Sequence, residues 1–175
     1  MTYLLDKHGT VLAHHRKAQL FGELDRAFFT AGVAPTAVGQ FGELRIGLLI
    51  CYDVEFPEGA RAAAQQGAHL IAVPTAQMEP FAYVAEGLIR TRAWENQVYV
   101  AYANHSGAEG EVEYVGRSSI VAPSAAVLDA AGTDAAIVRA EIDTDVVAQA
   151  QRANPYLSDL RPDLYIHQPL GGVHE

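Results

Sequence analysis

Residues 45–58 constrain this chain most. Arg45-Ile46-Gly47-Leu48-Leu49-Ile50 is an apolar run that ends abruptly in Cys51-Tyr52-Asp53-Val54-Glu55-Phe56-Pro57-Glu58. The run is too continuous for a strand with one wet face, so residues 43–51 read as a strand buried on both sides. Pro57 suits the first turn of a helix, residues 60–64 are alanine-rich, and Gly67 is a stop, so 57–67 read as that helix. Residues 70–73 are apolar again, which completes a strand–helix–strand unit of a parallel sheet. Open sheets of this kind place their chemistry beyond the carboxyl ends of their strands, where Cys51 falls. A lone cysteine there is either a small buried hydrophobe or an activated nucleophile.

The flanking segments read as follows. Residues 2–5 and 10–16 form a hairpin turned at Asp6-Lys7-His8-Gly9. Residues 18–32 carry Phe28-Phe29 and stop at Gly32 without a clear period, and 34–39 read as loop. Residues 81–95 form a second helix with Val84, Ala85, Leu88 and Trp94 on one side. A strand over 98–103 and a polar loop over 106–113 come next. Strands over 115–121, 126–128 and 135–142 precede a final helix, with Thr144 as its cap and Asp145 in its first turn. Residues 154–175 read as an extended tail. With no repeat and no linker, 1–175 form one domain.

Composition excludes several classes. Hydrophobic residues make up 50% of the 175 and charged residues 19%, so the chain builds a core. A net charge of −9 argues against a nucleic-acid surface. One cysteine cannot form an internal disulfide, which points to a reducing, cytoplasmic setting, and no apolar run approaches a membrane span. The seven histidines show no ligand spacing and no glycine-rich loop sits between strand and helix, so neither metal nor cofactor is expected.

Lys17 ends the second strand, in Arg16-Lys17-Ala18-Gln19-Leu20-Phe21. Near the thiol, a lysine lowers its pKa and stabilises an oxyanion. This segment and the run from Ile50 to Glu58 resemble the lysine and cysteine motifs of the nitrilase, or carbon–nitrogen hydrolase, superfamily. Arg92-Ala93-Trp94-Glu95-Asn96, Asn104, Gly107, residues 116–119, Pro123 and Leu160-Arg161-Pro162-Asp163-Leu164-Tyr165 extend the resemblance in order along the chain. It implies a four-layer αββα sandwich of the nitrilase type, here resembling the later two-thirds of the domain with its opening strands and first helix absent. It also implies a homo-oligomer and hydrolysis of a small-molecule amide or nitrile. Cys51 would attack the carbonyl or nitrile carbon to give a thioester-type intermediate. Lys17 and the backbone N–H of Tyr52 would hold the oxyanion, and a glutamate would move the protons.

That glutamate precedes the family's lysine by a long interval, whereas 16 residues precede Lys17 and their one carboxylate is Asp6. Asp25, beside Glu23, falls where the family often has a second, supporting carboxylate, and is the candidate accessory acid. Asp53 and Glu55 read as arginine partners or caps of the helix at Pro57, and Glu58 as a first-turn acid that the helix dipole favours. The alternative to a hydrolase is an inactive fragment, or an assembly or binding module. Gln77, Met78 and Phe81 are expected nearest the substrate.

Overall fold

The computed structural model describes residues 1–165. β1 (Thr2–Leu5) and β2 (Val11–His15) form the expected antiparallel hairpin, and α1 (Gly22–Phe28) follows. Then come β3 (Ala37–Phe41), β4 (Leu44–Leu48), α2 (Pro57–Gln65), β5 (Leu70–Thr75), α3 (Ile89–Asn96) and β6 (Tyr99–Asn104). β7 (Ser106–Glu109), β8 (Val112–Val115), β9 (Ser119–Val121), β10 (Val127–Ala130), α4 (Thr144–Ala153) and α5 (Tyr156–Asp159) complete the order. Six strands form the main sheet in the order β10-β9-β6-β5-β4-β3. Its centre, β4-β5-β6, is parallel, as the apolar runs require, and its flanks are antiparallel.

Side-chain alternation divides the layers. Gly47, Ile71 and Val100 are in register across the centre and share a face. A Cβ on Gly47 would meet Cβ of Ala63 at 2.8 Å, so α2 lies against this face at glycine-to-alanine distance. Leu49, Ala60, Ala63, Ile71, Val73, Ile89, Ala93 and Val100 form one buried cluster there, joined by Val147 of α4. Gly39, in register with Ile46, points to the opposite face, where Ala13 and Leu4 of the β1–β2 hairpin crowd it. Helix, sheet and hairpin stack in the order that the first three layers of an αββα sandwich demand.

Several boundaries depart from the sequence reading. The expected loop at 34–39 holds β3, which pairs with β4 through a two-residue turn at Gly42 (φ 58°). The polar loop at 106–113 is a second hairpin, turned at Gly110 (φ 61°). The segment 135–142 forms no strand; the Arg139 N–H bonds the Asp129 carboxylate (2.7 Å) in place of a ladder. The second helix begins as a π-turn, Val84–Leu88, and leaves Trp94 41% exposed. α4 is capped by Asp143, whose carboxylate accepts from the Asp145 N–H at 2.8 Å, so the cap lies one residue ahead of Thr144. In the expected tail, α5 and a 3-10 turn at Pro162–Tyr165 come first, and residues 166–175 lie outside the described residues.

Candidate active site

β4 ends at Leu48, and Cys51 opens a 3-10 turn, Cys51–Glu55, between strand and α2. The strand was expected to reach the cysteine. Instead the thiol residue has φ 47°, a left-handed conformation that a residue with a Cβ adopts at a cost of order 1 kcal/mol. The turn aims a half-buried thiol into a pocket of about 20 Å3 lined by Phe21, Cys51, Tyr52, Glu55, Ala76, Gln77, Met78 and Phe81. Gln77, Met78 and Phe81, expected near the substrate, are therefore beside the thiol. The Tyr52 N–H is in the first turn, among the donors that a helix leaves without internal partners. The ring of Tyr52 meets those of Phe21 (5.1 Å) and Phe56 (4.9 Å) edge to face.

One buried carboxylate ties the two motifs together. Oδ1 of Asp53 accepts from the backbone N–H of Ala18 (3.0 Å) and Gln19 (2.7 Å), the two residues after Lys17. Its Oδ2 accepts from the N–H of Ile50 (3.1 Å), the residue before Cys51, and from Nε2 of buried His15 (3.0 Å). A carboxylate only accepts, so Nε2 of His15 carries the proton. Asp53 does cap its own turn, but among the described residues neither it nor Glu55 pairs with an arginine side chain. Arg92 instead holds the backbone after Asp53: Nε donates to the Val54 carbonyl (2.8 Å) and Nη2 to the Glu55 carbonyl (2.6 Å). Its Nη1 binds Glu95 at 2.8 Å.

Lys17 is bound to Asp25, whose carboxylate also accepts from the Phe21 N–H at 3.0 Å. Burial raises the Asp25 pKa, but the hydrogen bonds from Lys17 and Phe21 and the Lys17 charge outweigh it and hold the carboxyl below its ordinary value. Lys17 and Asp25 line a neighbouring depression of about 420 Å3 with Met1, Arg16, Leu20, Phe29, Thr30 and Ile50. The thiol and the lysine thus sit on adjoining hollows, with Ile50 in the wall of the second. Glu23 faces away and pairs with exposed Arg26 (3.1 Å), and Glu58 is exposed in the first turn of α2.

The far wall is held by Asn104. Its Oδ1 accepts from the Gln77 N–H and its Nδ2 donates to the Gly116 carbonyl, both at 2.7 Å. Burial pushes the Glu55 pKa up, against the opposing influence of Gln77, Arg92 and Lys17. Burial also raises the pKa of Tyr102, helped by nearby Cys51 and Glu55, so that its phenol stays neutral. Among the described residues no group of three or more His, Cys, Asp and Glu is placed to hold a metal ion, and no helix is long and apolar enough to cross a membrane.

The roles of Asp53 and Arg92 and the position of Glu55 were not legible beforehand. The one available signal was the density of carboxylates after the thiol, which gives no direction to any of them.

Comparison with known proteins places this geometry. The family model "Carbon-nitrogen hydrolase" matches residues 1–152. The chain is 46% identical to "Hydrolase in pqqF 5′region" of Pseudomonas protegens over 93% of its own length and 57% of that protein. It is 33% identical to "2-oxoglutaramate amidase" of Bacillus subtilis, over 93% of this chain and 63% of the relative. Among solved structures, a glutamate-to-glutamine mutant of the amidase from Nesterenkonia sp. AN1 superposes with a TM-score of 0.83 at 39% identity. That match covers 93% of this chain and 59% of the amidase, which shows covalent addition of the acetamide moiety of fluoroacetamide at its active site cysteine. The chain spans about three-fifths of the length of these proteins, and it carries the expected nitrilase-type α/β fold. On its motifs, its layers and these matches, the chain belongs to the carbon–nitrogen hydrolase family.

Proposed function

We propose that these residues form the acyl-transfer part of a site that hydrolyses a small-molecule amide or nitrile. The observation that carries this reading is the double tether of Asp53, which fixes the residues flanking Lys17 and Cys51 to one carboxylate. Cys51 Sγ adds to the amide or nitrile carbon. The oxyanion of the amide adduct is met by the Tyr52 N–H and by the ammonium of Lys17. From an amide the nitrogen leaves as ammonia or an amine; from a nitrile the thioimidate first takes up one water and then loses ammonia. A further water cleaves the thioester. Asp25 keeps Lys17 aimed; already bound to it, Asp25 is a positioning group and not the base.

A second reading, as a binding or assembly module, has one observation in its favour. Asp25 is engaged by Lys17 and Asp53 by four donors, so neither serves as the glutamate of the family's triad. We further propose a cytoplasmic setting, which suits a free thiol, and self-association through exposed apolar side chains such as Leu24, Phe28 and Phe29.

The test is the rate of Cys51 alkylation against pH in the native chain, in Lys17→Ala and in unfolded chain, together with ammonia release from short amides. A native thiol that reacts well below the ordinary pKa of about 8.5, and loses that advantage without Lys17, supports the assembled site. A native profile matching that of the unfolded chain, with no ammonia released, overturns it in favour of the binding module.

A further inference from the structure

The chemistry above uses Cys51, Tyr52 and Lys17 and leaves one carboxylate beside the thiol without a task. Glu55 lines the same small pocket as Cys51, and its position is fixed at the backbone, where Arg92 holds its carbonyl at 2.6 Å. The cations around it are committed elsewhere. Lys17 is bound to Asp25, and the guanidinium of Arg92 is divided between two carbonyls and Glu95. Among the described residues no ion pair includes Glu55. The remaining titratable neighbour, Tyr102, is neutral. The pocket therefore presents one acid that forms no ion pair among the described residues, its charged form favoured only by Gln77 and by the committed cations Arg92 and Lys17, and around it the rings of Phe21, Tyr52 and Phe81.

We propose that Glu55 is a specificity-determining residue of the Cys51 pocket, admitting neutral and ammonium-bearing amides and rejecting carboxylate-bearing ones. The inference rests on the amide-hydrolase reading for its substrate class, though not for its electrostatics. An anionic ligand entering the pocket meets a like charge across a few ångströms of partly desolvated space. An ammonium group meets a counter-charge framed by aromatic faces, the usual surroundings of a recognised cation. The pocket is small and Glu55 lines it beside the thiol, so a charge carried on a short acyl portion lies close to Glu55. The substrate implied is a small aliphatic amide, neutral or cationic. The chain then parts from its Bacillus subtilis relative, since 2-oxoglutaramate is an anion.

The first experiment needs no turnover. Native chain, at about pH 8 and so near the ordinary thiol pKa, is alkylated with iodoacetamide, iodoacetate and (2-bromoethyl)trimethylammonium. In each case the Cys51 thiolate displaces halide, one C–S bond replaces one carbon–halogen bond, and the thiol proton goes to buffer. Relative to iodoacetamide, and normalised to the same chain in urea, iodoacetate is expected to react about tenfold more slowly, the order of effect of one like charge in the same partly desolvated pocket. The ammonium probe is expected to react faster than in urea by a similar factor. Glu55→Gln removes most of the discrimination and Glu55→Asp keeps it. A native ratio equal to that in urea overturns the proposal, as does a Glu55→Gln ratio equal to that of the unaltered chain. The native-to-urea ratio stands by itself if the Gln variant does not fold.

The second experiment compares butyramide, 4-aminobutanamide and succinamate as substrates of the unaltered chain. Turnover of butyramide and 4-aminobutanamide with kcat/KM for succinamate at least tenfold lower supports the inference. Equal turnover of butyramide and succinamate sinks the role of Glu55 while the hydrolase reading stands. No turnover of any of them, with alkylation selectivity intact, sinks the hydrolase reading while Glu55 stands as a charge filter.

Discussion

Replacing Asp53 by alanine should cost about 4 kcal/mol and loosen the lysine and cysteine segments together. The figure is built from four donors that lose their acceptor: His15 Nε2 and the N–H groups of Ala18, Gln19 and Ile50. A buried donor left unpaired costs about 1–3 kcal/mol. His15 is fully enclosed and takes the upper part of that range. Ala18 and Ile50 are half-buried and Gln19 is exposed, so water recovers part of theirs. The sum is comparable with the whole stability of an ordinary domain, about 5–15 kcal/mol. Asp53→Asn separates the contributions. Its amide oxygen can keep Ala18 and Gln19, and His15 can change tautomer to accept from its NH2 group. Only the Ile50 N–H then faces a donor, at about 1–2 kcal/mol. Urea denaturation followed by far-UV circular dichroism, with an unchanged m-value, reads both. At conditions where each variant is fully folded, Cys51 alkylation should lose its Lys17 dependence in Asp53→Ala and keep most of it in Asp53→Asn. A loss below 1 kcal/mol for alanine, or an asparagine variant as damaged as the alanine one, would refute the reasoning.

Four further outcomes are expected. Arg92→Lys gives up the fork that holds the Val54 and Glu55 carbonyls and should lower stability by about 2–4 kcal/mol, read as an urea midpoint shift; a neutral result would show that those carbonyls find other donors. Gly47→Ala forces a Cβ to 2.8 Å from Ala63 and should cost about 1–3 kcal/mol, recovered in part by Ala63→Gly in a double-mutant cycle. Tyr102→Phe removes a buried hydroxyl that makes no well-formed hydrogen bond, its one candidate partner being the equally unpaired Thr75 hydroxyl, and should leave stability unchanged or slightly raised in thermal unfolding; a loss above 1 kcal/mol would show that the two hydroxyls are bonded. Asp25 has a folded pKa below its unfolded value, so its contribution is complete above about pH 4 and is lost as pH falls through the folded value. Midpoints measured down a pH series should therefore drop less steeply in Asp25→Asn, and identical slopes would remove the ion pair from the account.

The central sheet was legible because burial on both faces leaves an uninterrupted apolar run, and β4, β5 and β6 each carry one. The edges were not, because β3 (Ala37-Val38-Gly39-Gln40-Phe41) is a strand through pairing with β4 and not through its own residues. Residues 135–142 failed in the opposite sense: their β-prone composition found no ladder to join, and a side-chain bond to Asp129 took its place. At the site, the identities of Cys51 and Lys17 stood out as motifs, and the family resemblance marked Asp25 as the accessory carboxylate that the structure shows bound to Lys17. The tasks of Asp53, Arg92 and Glu55 depend on contacts 34–38 residues apart in sequence. Nothing in a run of alternating carboxylates tells which one is turned inward.

The left-handed backbone at Cys51 has a consequence for how this chain drifts and how it is engineered. Glycine is the residue that relieves such a conformation, so Cys51→Gly should relax the turn, where Cys51→Ala keeps its strain and gives up only the sulfur. A library screened for thermal tolerance, with no demand on the thiol, would gather glycine at this position. The aim of the nucleophile and the comfort of the fold pull on the same dihedral angle, and a cysteine persists there only while something selects for its chemistry.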